Sequence, residues 1–185
     1  MAADTTTGTA RGARKSAARR VAEFVRRQDG VTAIEFAMVA PPFIALLMAI
    51  FETGLAFIGQ QVLQTATLQS ARAIMTGQVQ TSGMTAAQFQ QSVCNNAGSL
   101  FDCSKIMINV QTQPSFGAPM PSPISNGKAI TTTNFQPGTA GDIVIVQVYY
   151  EWYVVTGPLN FTLANLSDGN DLLVATAAFR NEHYH

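Results

Sequence analysis

The strongest constraint on this chain is an uncharged apolar run. Between Glu35 and Glu52 lie sixteen residues, Phe36 to Phe51, with no charged or strongly polar side chain. A helix needs about 20 apolar residues to cross a hydrocarbon core of about 30 Å. Sixteen fall short, but extension through Glu52 to Ile58 makes the stretch long enough, with one acid inside it. In a helix rising about 1.5 Å per residue, Glu35 and Glu52 stand roughly 25 Å apart. Each carboxylate is thereby placed near one interface, where its cost falls well below the roughly 2.5–3.5 kcal/mol of a mid-bilayer charge.

A core helix of a soluble protein is the alternative for such a run, and the charge distribution argues against it. The chain of 185 residues is neutral overall, yet residues 1–30 hold seven basic residues (Arg11, Arg14, Lys15, Arg19, Arg20, Arg26, Arg27) against three acids. The rest holds four basic residues against eight acids. Positive charge immediately before a span is retained in the cytoplasm. The expectation is a basic cytoplasmic leader over 1–30, one span over 31–58, and a periplasmic domain over 59–185. A cleaved secretory signal fits poorly, because Glu52-Thr-Gly follows the apolar region where a small-residue cleavage site belongs. Pro41-Pro42 would break a soluble helix but is better tolerated in a membrane, with a kink or local unwinding expected at Val39-Ala40. Every basic cluster belongs to the leader, so no nucleic-acid partner is expected. The leader is suited instead to anionic lipid.

At the junction, Gly30-Val-Thr-Ala-Ile-Glu35-Phe36 resembles the processing site of type IV pilin-like proteins: a basic leader, a glycine, then glutamate as the fifth residue after the cut. The continuation Glu35-Phe-Ala-Met-Val-Ala-Pro41, with Ile50-Phe-Glu-Thr-Gly54 and Ser70-Ala-Arg72, is similar to the TadE family. TadE proteins are pseudopilins of the tight-adherence (Tad) machinery that builds Flp pili. The related TadG proteins share the amino-terminal motif but usually carry a longer distal domain. The resemblance is strong over about 31–77. Beyond it, Arg72-Ala-Ile-Met-Thr-Gly-Gln78, the Cys94 and Cys103 pair, and Phe179-Arg-Asn-Glu182 look similar to longer TadE-like chains. The resemblance implies cleavage between Gly30 and Val31 by a prepilin peptidase. It also implies assembly through Glu35, which pairs with the new amino terminus of a neighbouring pilin-like subunit, and association with Tad inner-membrane proteins. A side-chain-free Gly30 lets an extended strand enter a narrow active site. Without processing, Glu35 has only the role of a carboxylate at the interface.

Past Glu52 the sequence stays helix-friendly to about Thr76. Leu55, Ile58, Gly59, Val62, Leu63, Ala66, Ser70, Ala73 and Ile74 form one apolar, mostly small-residue stripe, while Gln60, Gln61, Gln64, Thr65 and Arg72 fall outside it. Gly77 is a plausible C-cap. Thr85 caps a short helix over 86–95 with Phe89 and Val93 on one face. Alternation predicts strands over 105–111, 142–155 and 171–180. Five prolines and four glycines make 114–141 a long exposed loop, and 157–170 a connection with room for a short helix. The expected fold is α+β and pilin-like: the long transmembrane and amphipathic helix packed on one face of a small antiparallel sheet.

Cys94 and Cys103 lack the C-x-x-C spacing of a redox pair. In an oxidising periplasm a disulfide is expected; two independent buried thiols are the alternative. No nucleophile elbow, zinc-binding H-E-x-x-H, Walker loop or dinucleotide fingerprint occurs. Glu182, His183 and His185 form a terminal cluster without the supporting contacts that fix a metal. The chain is therefore expected to be no enzyme, with no cofactor and no metal. Two roles stand: a processed minor pilin or pseudopilin serving Flp pilus assembly and surface adhesion, and an uncleaved single-pass anchor whose periplasmic domain binds envelope partners.

Overall fold

The computed structural model describes residues 29–120, 122–131, 134–154 and 163–183. The leader up to Gln28, residues 157–162 of the expected connection, and His185 lie outside the described residues. The elements run α1 (Asp29–Met75), α2 (Gln78–Ser82), α3 (Ala86–Ala97), β1 (Met107–Gln113), β2 (Ile124–Ser125), β3 (Lys128–Ala129), β4 (Ile143–Trp152) and β5 (Asp171–Arg180). A three-stranded antiparallel sheet in the order β1-β4-β5 and a small β2-β3 hairpin complete the α+β class. The chain divides into two compact units, one ending at Leu47 and one running from Met48 to His185.

In the first unit the described residues form α1 alone, and nearly all their side chains are exposed. The helix is continuous through Pro41 and Pro42, so of the expected kink or local unwinding at Val39-Ala40 the unwinding does not occur. Each proline removes one donor from the helical ladder. Gly30–Met75 contains a stretch of 18 residues apolar enough to cross a membrane, and none of it is buried.

In the second unit α1 becomes one-sided. Ala56, Gly59, Leu63, Ala66, Thr67, Ser70, Ala71 and Ile74 are buried, a three-and-four spacing that holds one face on the sheet. Its phase differs from the expected stripe at the near end, where Leu55 and Ile58 are exposed and Ala56 replaces them. The buried cluster joins Leu63, Ala66 and Ile74 of α1 to Phe89 and Val93 of α3. The sheet contributes Val110, Val144, Val146, Val148 and Ala175, among others. Gly59 permits the closest approach: a Cβ built there would lie 2.9 Å from the ring of Trp152 on β4.

The helix also closes a sheet edge. Gln60 Nε2 donates to the Val174 carbonyl at 2.8 Å, and Gln64 Nε2 to that of Thr176 at 2.9 Å. Gln64 Oε1 in turn accepts from the Thr176 amide at 3.2 Å. One step along, the Asn165 side chain accepts from the Leu172 amide at 2.8 Å. These amides satisfy backbone groups that an edge strand would otherwise present to another chain.

Gly77, in the left-handed region at φ 78°, ends α1 and opens α2, a short helix absent from the sequence-based expectation. Thr85 and Gln88 form a reciprocal capping box at the start of α3, which runs two residues beyond the expected end. Both sheet faces are covered, whereas the sequence suggested one. Ile145, Gln147 and Tyr149 are buried on the second face, where Tyr149 packs with Leu166, Leu172, Ile124 and Ala129. The proline-rich segment is thus partly folded down rather than a fully exposed loop, with β2-β3 turning at Asn126-Gly127 on two positive φ angles. Gln136 and Asn134 also bond the backbone of Val110, along the outer edge of β1. A polar row lies beneath: the Tyr149 hydroxyl donates to Gln147 Oε1 at 2.7 Å, and Gln111 Nε2 to Asn109 Oδ1 at 2.9 Å. Burial pushes the Tyr149 phenol up.

Cys94 and Cys103 are joined by a disulfide, with Cα atoms 5.5 Å apart, linking the end of α3 to the turn before β1. Asn181 fastens the carboxy-terminal segment. Its Nδ2 donates to the carbonyls of Pro137 and Thr139 at 2.9 and 3.0 Å, and the next amide, of Glu182, reaches the Met75 carbonyl at the end of α1.

Two outcomes follow. Gly59→Ala forces the indole of Trp152 aside, an overpacking cost of about 1–3 kcal/mol that exceeds the roughly 0.5–1 kcal/mol alanine returns to a helix. Denaturant unfolding in detergent should show a net loss of stability, and equal or higher stability would disprove the close approach. Replacing both cysteines by serine should lower stability by about 2–3 kcal/mol, the chain-entropy value for a loop of this length. An unchanged unfolding midpoint under oxidising conditions would show that the bridge does not constrain the unfolded chain.

Candidate functional site

The residues singled out for processing occupy the opening turns of α1. Helix begins at Asp29, so Gly30 and Val31 lie in the first turn, where backbone N–H groups have no partner within the helix. That turn is the easiest part of any helix to unwind. Gly30 is exposed, its φ is not positive, and a Cβ built on it meets nothing within 4 Å. Among the described residues, packing therefore gives no reason for glycine at this position.

Val31 and Glu35 are four residues apart and so share one side of the helix, one turn from each other. Both are exposed, as is Phe36 at 73%. Ile34, Met38, Val39, Phe43 and Ile44 are exposed as well, so Glu35 is a single carboxylate set in an apolar surface. Four kinds of chemistry sit together here: an unhindered peptide bond, a helix start, one negative charge, and aliphatic and aromatic side chains suited to lipid or to another helix.

The other resemblance-bearing residues are placed apart from this site, in the second unit. Ser70 is buried and its Oγ accepts from Asn96 Nδ2 at 2.9 Å, whereas Arg72 is exposed in the last turn of α1. Cys94 and Cys103 are bridged, and Asn181 is buried. These are parts of the packing of the second unit. Glu182 and His183 are exposed. Among the described residues no three His, Cys, Asp or Glu side chains gather as metal ligands would. Gln60 and Gln64, set aside by periodicity as polar and outward, hold the β5 edge. Their spacing of four, flanking the apolar stripe, was the available signal.

Neither a curated protein nor a solved structure matches the chain. The family model of TadE-like proteins matches residues 30–72. That segment starts at the unhindered glycine, includes Glu35 and the whole apolar run, and ends at the arginine in the last turn of α1. Over this helix, and over less than half of the chain, the sequence matches the TadE-like family.

Proposed function

We propose that the chain is a minor pilin or pseudopilin of the Tad machinery, processed by a prepilin peptidase between Gly30 and Val31 and serving Flp pilus assembly and surface adhesion. The observation that carries this is the coincidence at Gly30. The TadE-like match begins there, at a glycine whose Cβ position is open among the described residues.

Processing has a physical consequence for movement. While seven basic residues precede the span, its amino-terminal end is held on the cytoplasmic side, since each cation carried to the bilayer centre costs roughly 2.5–3.5 kcal/mol or more. Removing residues 1–30 leaves an apolar helix whose early charges are the new Val31 ammonium and Glu35. Such a helix can shift along the membrane normal toward a growing assembly. Glu35 then supplies register. A carboxylate and an ammonium about 4 Å apart attract by about 1 kcal/mol in water and about 4 kcal/mol at an effective dielectric of 20. An unpaired ammonium in the apolar layer is costly, so subunits settle where a neighbour's Glu35 meets it. Partners in this scheme are the peptidase, other pilin-like subunits, Tad inner-membrane proteins and the bilayer.

Mass spectrometry of the amino terminus tests the first step. The chain should begin at Val31 in cells with the prepilin peptidase and stay full-length in cells lacking it. The uncut form as sole species in both would establish the anchor role instead. Glu35→Ala should leave membrane insertion intact and reduce piliation severely, measured by electron microscopy and by shed pilin. Normal piliation would remove Glu35 from assembly.

A further inference from the structure

The second unit contains its own evidence about its height in a membrane. Over Met48–Ile58, α1 exposes Met48, Ile50, Phe51, Leu55, Phe57 and Ile58. On the opposite side of the same turns the helix is covered by protein: Ala56 is only 8% exposed, and Gly59 lies against the Trp152 ring. The glutamine contacts set the levels. Gln60 meets Val174 and Gln64 meets Thr176, so about 6 Å of helix matches about 6.7 Å of strand. One step further along, Leu172 stands level with Ala56, and the Trp152–Asp171 pair ends the ladder. The sheet thus overlaps in height with apolar turns of α1 whose other side is bare.

Lipid that reaches the bare side of those turns reaches the sheet end as well. The side chains there suit that position. Tyr153, next after β4, is 77% exposed, and Leu163, at the return toward β5, is 40% exposed. Tryptophan and tyrosine are the residues favoured where hydrocarbon gives way to headgroups. Carboxylates limit the depth. Glu151 is exposed, and burial raises the Asp171 carboxyl above its ordinary value. Charged groups at this height exclude the hydrocarbon interior and are compatible with the headgroup layer.

We infer that the β4-β5 end of the domain, with Trp152, Tyr153 and Leu163, rests in the headgroup layer of the membrane crossed by α1, giving the domain a lipid contact of its own. The inference depends on the transmembrane assignment of α1, and the experiment separates the two. Trp152 is the only tryptophan in the chain and so reports depth without labelling. The full chain is reconstituted in phosphatidylcholine vesicles, and co-flotation establishes insertion. Trp152 emission should fall in vesicles brominated near the headgroup, fall less in vesicles brominated near the acyl ends, and respond weakly to aqueous iodide. A floating protein with unquenched emission in both vesicles, or with strong quenching by iodide, overturns the headgroup contact while α1 remains a span. Stronger quenching from the acyl ends overturns the assigned depth. Failure to float removes the span, and the contact with it. The double variant Trp152→Phe, Tyr153→Trp moves the reporter to the outward-facing position without relying on the packed indole, and the same ordering is expected.

Discussion

A single helix that is apolar on all sides over one stretch and on one side over the next governs this molecule. From Phe36 to Phe51 there is no polar face to turn toward water, so that stretch needs an apolar surrounding on every side. From Gly59 onward only one face is apolar enough to demand cover, and the sheet provides it. Small residues at Ala56, Gly59, Ala66, Ser70 and Ala71 bring the helix axis close to β4 and β5. Packing at that distance leaves the helix almost no freedom to rotate, since the Trp152 ring already fills the space a single methyl at position 59 would need.

The polar contacts reinforce that docking instead of competing with it. Gln60 and Gln64 lie beside the buried stripe and bond to the backbone of β5, so the helix is held in register as well as in apposition. A sheet of three strands has two edges, and both are attended to: β5 by glutamines and Asn165, β1 by Asn134, Gln136 and, just before the strand, by Gln90, whose Nε2 donates to the Ile106 carbonyl at 2.7 Å. Closing edges matters because open strands invite unplanned pairing.

Much of this was legible in the amino acids. The helix, α3 with its threonine cap, and three strands follow from periodicity and capping chemistry, and β5 falls where alternation placed it. The failures have physical causes. Leu55 and Ile58 entered the expected stripe because Leu55-Ala-Phe-Ile58 are all apolar, which erases the contrast that fixes helical phase. The proline-rich segment read as an exposed loop because five prolines outweighed Asn126-Gly127, although that dipeptide is the favoured two-residue hairpin turn with two positive φ angles. The second sheet face was missed because its residues alternate with hydrophobic ones: Gln147 and Asn109 look solvent-facing until the hairpin lies over them. At the amino-terminal site, by contrast, motif spacing was the only guide. An exposed glycine and an exposed glutamate leave no trace in packing, so their meaning lies with whatever binds them.

The proposed lipid contact and the proposed processing site belong to one continuous chain, and so bear on one another. On the proposed function, removal of the basic leader frees α1 to move outward, and the domain fixed to it must move with it. The surface formed by Tyr153, Leu163 and the bare turns Phe51–Ile58 then leaves the headgroup layer. Once out of lipid it is an apolar patch facing water, a state that a folded domain avoids by finding a partner. A neighbouring apolar helix provides equivalent cover. The energetic difference between the membrane-resident and the assembled subunit is therefore small for this surface, one apolar neighbour replacing another. On the same proposal, that leaves the pairing of the Val31 ammonium with Glu35 as the term able to favour assembly, a term that would not exist before a cut at the Gly30 peptide bond.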